Sequence, residues 1–321
     1  SNLLNADYSF FERTVKFPTF KELAATSRGM AWMFVVDFVA AYRQIRYSYS
    51  SWGLIAVLFK GQLFVDIAVT FGWGPAARVF QQFTRTLIRN LCYYWPELFL
   101  EKPIFVPNYT SQETVDPRNR HRSWIDDLKF VASTYLKCAR MMAKLKLIAK
   151  RYNLKLDFSP TGNKPVQEGT YTGWNHSLTE QAVKFPIAKR AKLLKMIDGL
   201  LSGKTWSTTI QGEPITRKPK HFTKRELSSL HGGLNHFSLA HVKVFLKLTP
   251  LIRVSNSTPN MDDLIYVAFP SEPWLFKAIS EIKQIVTENR WVSFDEIMES
   301  TRYYQNFEFC LADAAGIDDH E

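Results

Sequence analysis

The chain has 321 residues, of which 46% are hydrophobic and 22% charged. This composition excludes a disordered or collagen-like polypeptide and is typical of a globular protein with one large domain or two to three ordinary ones. The net charge of +11 is uneven, with the basic excess concentrated in residues 137–155 and 184–225. Such a local basic surface favours a polyanionic partner, with solvated helix faces as the alternative.

Three cysteines, Cys92, Cys138 and Cys310, lie far apart and lack the CxxC spacing of a zinc site. We therefore expect reduced thiols and an intracellular protein, in the cytoplasm or the nucleus. The sequence has neither a signal-like N-terminus nor an apolar run of about eighteen residues, so we expect no membrane partner.

The first half of the chain alternates between strand and helix patterns. The apolar run AWMFVVD at 31–37 predicts a buried strand that ends in a single carboxylate. Short β-branched and aromatic runs between residues 47 and 69 predict a hairpin around Lys60 and Gly61. From Pro75 onward, apolar residues recur every three or four positions as far as Leu91, which predicts an amphipathic helix.

A Pro- and Asn-rich stretch at 95–122 predicts a long loop or insertion, which ends at the sequence WIDD. A helix with a basic outer side is then predicted from residue 135 to 152. Short strands follow at 154–158 and 169–174, and a capped helix is predicted at 271–289. We place domain boundaries so that the units are residues 1–32, 33–177, 178–260 and 261–321.

Three aspartates interrupt apolar runs and are candidates for metal binding. Asp37 ends one run, and Asp126 and Asp127 stand together before another. Because adjacent buried carboxylates repel each other, their presence suggests that a cation compensates their charge. Hard oxygen ligands favour Mg²⁺ or Mn²⁺, with substrate phosphates completing the coordination.

The order of these motifs resembles the palm of reverse transcriptases, in particular those of retrotransposons of the DIRS, Ngaro or gypsy type. DFVAAYRQI at 37–45 resembles the first motif of the family, and VTFGWGPAARVFQ at 69–81 resembles the second. WIDD at 124–127 resembles the YxDD turn of the third motif. The resemblance spans roughly residues 14–316.

The resemblance implies roles for individual residues. Asp37, Asp126 and Asp127 would be the catalytic metal ligands, and the backbone carbonyl of Phe38 a further one. Tyr42 stands where the family places the ring that excludes a ribose 2′-hydroxyl. The incoming nucleotide and template base would be bordered by Phe71, Gly72 and Trp73.

Later segments continue the resemblance. Lys164 would protonate the leaving pyrophosphate, and the segment Tyr171-Thr172-Gly173-Trp174 resembles the hairpin that grips the primer, in which Tyr171, Gly173 and Trp174 would contact it. KFPIAKRAKLLKMI at 184–197 resembles the start of a thumb. The residues expected to contact the nucleic-acid backbone there are Lys184, Lys189, Arg190, Lys192 and Lys195.

The implied fold is α+β: a right-hand palm with an antiparallel sheet backed by helices, a helical thumb and a small C-terminal connection. Residues 1–32 would be a residual fingers lead-in, and a truncated RNase H would begin near Asp313. The implied partners are an RNA template, a DNA primer and deoxynucleoside triphosphates, with a second chain supplying fingers or RNase H. The implied activity is that of an RNA-directed DNA polymerase.

Two alternatives stay open at this point. Trp124 replaces the usual Tyr of the third motif, and few residues precede the first motif, which would suit a catalytically silent scaffold that binds RNA or protein. An RNA-dependent RNA polymerase shares the palm, but the bulky ring of Tyr42 would clash with a ribonucleotide.

Three histidines, His231, His236 and His241, are spaced five residues apart. On a helix this spacing points them away from a common centre, so we expect no metal site there.

Overall fold

The computed structural model describes residues 18–50, 56–70, 75–99, 121–124, 127–206, 209–210, 213–214 and 219–300, with the backbone alone at 121–124, 209–210 and 213–214. Over these ranges the chain forms helices and small antiparallel sheets. In the part of the chain so described, no helix has the length and apolarity needed to cross a membrane.

The helices in these ranges are α1 (Phe20–Ser27), α2 (Ala76–Tyr94), α3 (Tyr135–Arg151), α4 (Ile187–Ser202), α5 (Lys224–Ser238), α6 (Val242–Phe245), α7 (Thr249–Ser255), α8 (Pro273–Glu288) and α9 (Phe294–Ser300). The strands are β1 (Trp32–Phe38), β2 (Ala56–Phe59), β3 (Gln62–Val65), β4 (His121–Trp124), β5 (Asp127–Ala132), β6 (Leu156–Asp157), β7 (Glu168–Tyr171), β8 (Trp174–Ser177), β9 (Ala182–Lys184), β10 (Thr209–Ile210), β11 (Glu213–Pro214), β12 (His221–Thr223), β13 (Leu264–Tyr266) and β14 (Val292–Ser293). The strands predicted around 31–37 and 154–158 and the helices predicted from 75, 135 and 271 are confirmed as elements. The continuous strand predicted at 169–174 is wrong, because Thr172 and Gly173 form a turn that separates β7 from β8.

The central sheet has the strand order β4-β5-β1-β6, and all of its neighbouring strands are antiparallel. Alternate residues of β1 point to opposite sides, as the pleat requires. One side, which we call the helix face, carries Phe34, Val36 and Phe38 and packs against α2 and α3 in a small hydrophobic core. There the rings of Phe34 and Phe130 stack with centroids 4.8 Å apart.

The opposite side of the central sheet, which we call the polar face, carries Asp37, Asp127 and Lys129 together with apolar residues. Met33, Val35 and Val131 on this side join a second and larger core. A second antiparallel sheet, β14-β9-β8-β7, packs there, and a single bridge joins Met33 to Val166 just before β7. The carboxylate that ends the apolar run thus lies on the side of the sheet away from α2 and α3.

The larger core takes side chains from both sides of the predicted boundaries after residues 177 and 260. In addition, β12 pairs with β13 across the second boundary. The proposed division into domains stays a prediction, but the segments that it separates share one core.

The hairpin predicted at 47–69 is confirmed as β2 and β3, and all eight of its strand residues are exposed to solvent. The predicted cap at Ser271 is not used, because the helix begins at Pro273 and the Ser271 hydroxyl donates to the carbonyl of Ala268. Proline suits the first helical turn, where its missing N–H costs nothing.

Candidate functional site

The carboxylates of the first and third motifs meet across the central sheet. β1 pairs with β5 from Trp32 opposite Ala132 to Val36 opposite Leu128. Continuing this register by one residue places Asp37 opposite Asp127, and residues directly opposite each other point to the same side of a sheet. Both aspartates are half-buried and lie on the polar face. Sequence reasoning selected both, and the structure brings them together.

Asp126 lies outside the described residues, in the connection between β4 and β5. β4 and β5 pair closely up to Trp124 opposite Asp127, so residues 125 and 126 join the two strands at this edge. The same holds for the predicted substrate residues Phe71, Gly72 and Trp73, which lie outside the described residues just before α2.

A fourth carboxylate stands beside Asp37 and was missed by the sequence analysis. Asp157 on β6 pairs directly with Asp37 on β1. Its carboxylate accepts hydrogen bonds from the backbone N–H of Ser159, at 2.8 Å, and from the Ser159 hydroxyl, at 2.6 Å. These hydrogen bonds lower the pKa of Asp157. The signal was available in the strand-like sequence LKLDF, where it is the only acid.

Among the described residues, no group of three or more His, Cys, Asp or Glu side chains is arranged to hold a metal ion. The pair formed by Asp37 and Asp127 supplies hard oxygen donors on one side of the sheet, which is the donor chemistry that Mg²⁺ prefers. The residues present fit a divalent cation, with Asp126 the expected additional ligand.

The segment after Asp37 is fixed by a side chain that the sequence analysis did not select. The Gln44 amide donates to the carbonyls of Val39 and Lys155, at 2.7 and 2.8 Å, and its oxygen accepts from the Lys155 N–H at 2.9 Å. These bonds tie the turn that follows β1 to the start of β6. A glutamine in DFVAAYRQI carries no signal of this role, because its partner lies 111 residues away.

Phe38 and Tyr42 flank this turn. The side chain of Phe38 is buried and packs edge-on against Phe80 of α2, with centroids 5.0 Å apart. Tyr42 is half-buried and contacts the same ring at 5.6 Å. The helix that follows the second motif therefore holds both residues of the first motif, as a shared site would require.

Lys164 is exposed and lies in the loop between β6 and β7. Its backbone N–H bonds to the carbonyl of Thr161 at 3.4 Å. Two residues later Val166 bridges to Met33, which is four residues before Asp37 and thus about 13 Å from it along the strand. The loop that contains Lys164 therefore reaches the sheet on the β6 side of β1, and the proton-donating role of Lys164 stays a prediction.

The predicted primer-grip hairpin is a tight turn. Tyr171 pairs with Trp174, and the two residues between them, Thr172 and Gly173, have φ of 49° and 75°. Two consecutive left-handed residues are the geometry of a type I′ hairpin turn. Thr172 and Gly173 are half-buried, whereas Tyr171 and Trp174 are almost completely buried in the larger core.

Two helices hold this turn. Nε2 of His236 on α5 lies 3.1 Å from the carbonyl oxygen of Thr172, and since a carbonyl only accepts, this nitrogen donates. A Cβ added to Gly173 would lie 2.1 Å from Nζ of Lys189 on α4, so the lysine ammonium covers the glycine. Partial burial, more than any other effect, lowers the pKa of His236.

The hairpin also touches the candidate carboxylates. The hydroxyl of Tyr171 donates to the backbone carbonyl of Asp127 at 3.4 Å. Trp174 packs against Phe20, Phe185 and Phe237 and supports the hairpin from below. The structure thus brings the third motif and the predicted primer-grip hairpin into contact.

A buried lysine lies two residues after Asp127 and was not predicted. The ammonium of Lys129 donates to the hydroxyl of Ser27 at 2.8 Å and lies 3.0 Å from Nδ1 of His176. Lys129 is 1% exposed, and its burial lowers its pKa to about 7. Burial, followed by the charge of Lys129, holds the pKa of His176 well below its usual value. This network joins α1, β5 and β8 beneath the candidate site.

The predicted backbone-binding residues differ in their surroundings. Arg190 donates to the carbonyl of Thr287 at 2.7 Å, and Nζ of Lys184 lies 5.6 Å from the centre of the Trp291 ring, so both have partners inside the protein. Lys189, Lys192 and Lys195 are exposed on α4. These three remain the residues of the set best placed to meet a ligand.

Comparison with known proteins finds similar solved structures but no similar sequence family. No family model and no curated protein matches the sequence. Three solved structures of foamy viral protease-reverse transcriptase have a similar fold, each at 13% identity. The complex with an RNA/DNA hybrid has a TM-score of 0.53, with 87% of this chain and 30% of that chain covered.

The other two are complexes with double-stranded DNA. Both have a TM-score of 0.51. The match to the dRH form covers 87% of this chain and 40% of the matched chain. The match to the other double-stranded DNA complex covers 84% of this chain and 46% of the matched chain. The chain therefore spans less than half the length of the solved structures that it resembles. At this identity the likeness concerns the fold, and the chain has a reverse-transcriptase-like fold.

Proposed function

We propose that this chain is the RNA-directed DNA polymerase core of a retroelement, with a palm, a thumb and the start of a connection. One observation carries the proposal: the register of β1 and β5 sets Asp37 opposite Asp127 on the polar face, beside the connection that contains Asp126. In a reverse-transcriptase-like fold, this is where the first and third motifs that the sequence predicts have to meet.

In the proposed reaction, a bond forms between the primer 3′-oxygen and the α-phosphorus of a deoxynucleoside triphosphate, and pyrophosphate leaves. Asp37, Asp126 and Asp127 would hold two divalent cations, Mg²⁺ or Mn²⁺, which supply charge neutralisation at the phosphates and activate the 3′-hydroxyl. The protein's own part is to position the reactants. Tyr42 would border the sugar, and Lys164 would give a proton to the pyrophosphate.

The template and primer would lie along the polar face. The Thr172–Gly173 turn would support the primer, and Lys189, Lys192 and Lys195 would contact phosphates. Such contacts are independent of sequence and weaken steeply with salt. The neighbours' complexes with RNA/DNA hybrid and double-stranded DNA support partners of this kind.

The test is primer extension on poly(rA)/oligo(dT) with dTTP and Mg²⁺ or Mn²⁺. We expect extension by the unmodified chain and none by Asp126→Asn. The matched control is Asp262→Asn, which removes an exposed carboxylate paired with Arg225 away from the sheet and is expected to extend normally. Extension that survives Asp126→Asn would overturn the assignment of the third motif.

A catalytically silent scaffold is the second candidate, favoured by one observation. Trp124 stands where the third motif of the family has Tyr, which would place an indole instead of a phenol beside the primer terminus. This candidate predicts salt-sensitive binding of the hybrid duplex without extension by any variant, and binding that Asp126→Asn leaves unchanged. Primer extension, measured together with salt-dependent binding of the hybrid duplex, therefore separates the two functions.

A further inference from the structure

A cleft of about 130 Å³ lies on the helix side of the central sheet, opposite the face that carries the candidate carboxylates. It is formed where the C-terminal ends of α2 and α3 meet, and both helices pack on the helix face of the central sheet. Its lining consists of Tyr94, Trp95, Leu147, Ile148, Arg151 and Tyr152. None of these residues takes part in the proposed polymerase site.

The walls of the cleft are aromatic and exposed. Tyr94 and Tyr152 come from different helices and are 54% and 50% exposed, and Leu147 between them is 54% exposed. The ring of Trp95 lies 5.9 Å from that of Tyr94. Large apolar side chains that cluster on a surface in this way mark a binding site more often than chance.

The surroundings of the cleft are positively charged. α2 carries three Lys or Arg residues and α3 carries six, and neither helix has an acid. Glu97, two residues after Trp95, is the nearest acid in sequence on that side. Nζ of Lys144 lies 4.8 Å from the centre of the Trp95 ring, and the Arg151 guanidinium lies 5.9 Å from that of Tyr152.

The charges also form a line. Lys137, Arg140, Lys144 and Arg151 on α3 are separated by three, four and seven residues, which keeps them on one side of a helix. From Lys137 to Arg151 this line is about 21 Å long, at the rise of an α-helix. It ends at the cleft.

We propose that the cleft and this line of charges, together the rear site, bind single-stranded nucleic acid, with a base between the aromatic walls and phosphates along α3. Flat rings stack on any base, and a row of cations follows the backbone. The strand must be single, because paired bases keep their faces stacked inside a duplex. This inference holds for either function proposed above, because the rear site lies behind the sheet that carries the carboxylates.

The test is fluorescence anisotropy with labelled oligo(U) of about 12 nucleotides, which lies within the usual range of about 4–16 for single-strand sites. Saturating unlabelled RNA/DNA hybrid is present to fill any duplex site. We expect Tyr152→Ala to weaken binding by about tenfold, the size of one lost stacking contact. Arg151→Glu should weaken it by a similar factor, because it replaces a cation that meets phosphate with an anion. Tyr152→Phe keeps the ring and is expected to bind normally.

The controls match each change in kind. Trp274→Ala and Lys277→Glu alter an exposed aromatic and an exposed cation on α8, away from the rear site, and are expected to leave the affinity within about twofold. An abasic strand of the same length should respond to Arg151→Glu and not to Tyr152→Ala. Circular dichroism establishes that each variant is folded.

Two results would overturn the inference. One is an unchanged affinity of Tyr152→Ala for oligo(U) in the folded protein. The other is displacement of oligo(U) by a peptide of glutamate and tyrosine at a lower concentration than by unlabelled oligo(U), which would assign the rear site to an acidic protein partner.

Discussion

The two faces of the central sheet come from the same strands and differ in what covers them. On the helix face, Phe34, Val36 and Phe130 pack with α2 and α3 in a hydrophobic core. On the polar face, the same strands present Asp37, Asp127 and Lys129, covered in part by the β7–β8 hairpin and α1. One face is built for packing, and the other carries charges that packing alone does not explain.

The difference is instructive because charge in a core is costly. Lys129 is buried with a hydroxyl and an imidazole as its partners, and desolvation lowers its pKa to about 7. Carboxylates placed opposite each other raise the free energy of the folded chain further. This contrast between the two faces supports the proposed function, in which a ligand lies on the charged side of the sheet.

The largest effect on stability is expected on the helix face. Phe34→Ala should lower the free energy of unfolding by about 3–5 kcal/mol, because the stacked Phe130 and the α2 side chains cannot close the cavity. Urea denaturation measures the loss. Phe34→Leu, which keeps most of the volume, should cost less than half as much. A loss below about 1 kcal/mol for Phe34→Ala would show that this face is loosely packed.

On the polar face the main effect is expected on activity. If the proposed function holds, Asp37→Asn should lower primer extension by about 10²–10³-fold, because it would weaken the hold on the cations that stabilise the charge on the reacting phosphate. The free energy of unfolding of this variant should be unchanged or higher, because the repulsion between the carboxylates of Asp37 and Asp127 is removed. A chain destabilised by this change would indicate a structural role for Asp37.

Asp157→Asn tests whether the neighbouring carboxylate on β6 has the same role as Asp37. The Asp157 carboxylate already accepts two hydrogen bonds from Ser159, so we expect primer extension to fall by about tenfold or less. Equal losses for Asp37→Asn and Asp157→Asn would mean that the two neighbours share one role.

Acid should weaken the core beneath the polar face. His241 stacks on Phe237 with centroids 4.3 Å apart, and burial, followed by the charge of Arg290, lowers its pKa to about 4, while Glu296 acts in the opposite direction. Between pH 4 and 6.5 the unfolded chain binds more protons at this group, so stability is lost as the pH falls through that window.

For His241 alone the loss between pH 7 and pH 5 is about 2 kcal/mol. Urea denaturation at the two pH values measures it, and His241→Leu should make the dependence on pH shallower by that amount. Burial also lowers the pKa of His176, so this residue likewise destabilises the folded chain as the pH falls. Part of the pH dependence of stability should therefore remain in the His241→Leu variant. An identical pH dependence in the variant would show that His241 is solvated.

Local pattern was enough to predict much of this structure. The run AWMFVVD predicted β1 and its terminal carboxylate. The resemblance of YTGW to the primer-grip hairpin of the family indicated a hairpin, where the structure has a turn with two left-handed residues. What the sequence did not reveal depends on register and on distant partners. Lys129 meets His176 at a separation of 47 residues, and Asp37 faces Asp157 only because β6 pairs with β1.

The basic segments show the same limit. A periodic pattern marks which lysines and arginines share a side of a helix, but it does not show what that side meets. Arg190, predicted to contact phosphate, bonds to the carbonyl of Thr287. Tyr94 and Tyr152 belong to two helices with unrelated patterns, and only the packing of α2 against α3 makes them walls of one cleft.

The smallest effect is expected in the cover of the polar face, at Gly173. Its φ of 75° costs an L-residue about 1–2 kcal/mol, and a Cβ there would displace the ammonium of Lys189, which can swing away on its flexible stem. Gly61 is the matched control: its φ is also 75°, nothing lies within 4 Å of an added Cβ, and its hairpin is exposed. Gly173→Ala should therefore lower the free energy of unfolding by about 1–2 kcal/mol, whereas Gly61→Ala loosens only a local hairpin and should change it by less. Urea denaturation compares them, and equal losses would mean that the β7–β8 turn is no more firmly docked than the exposed hairpin.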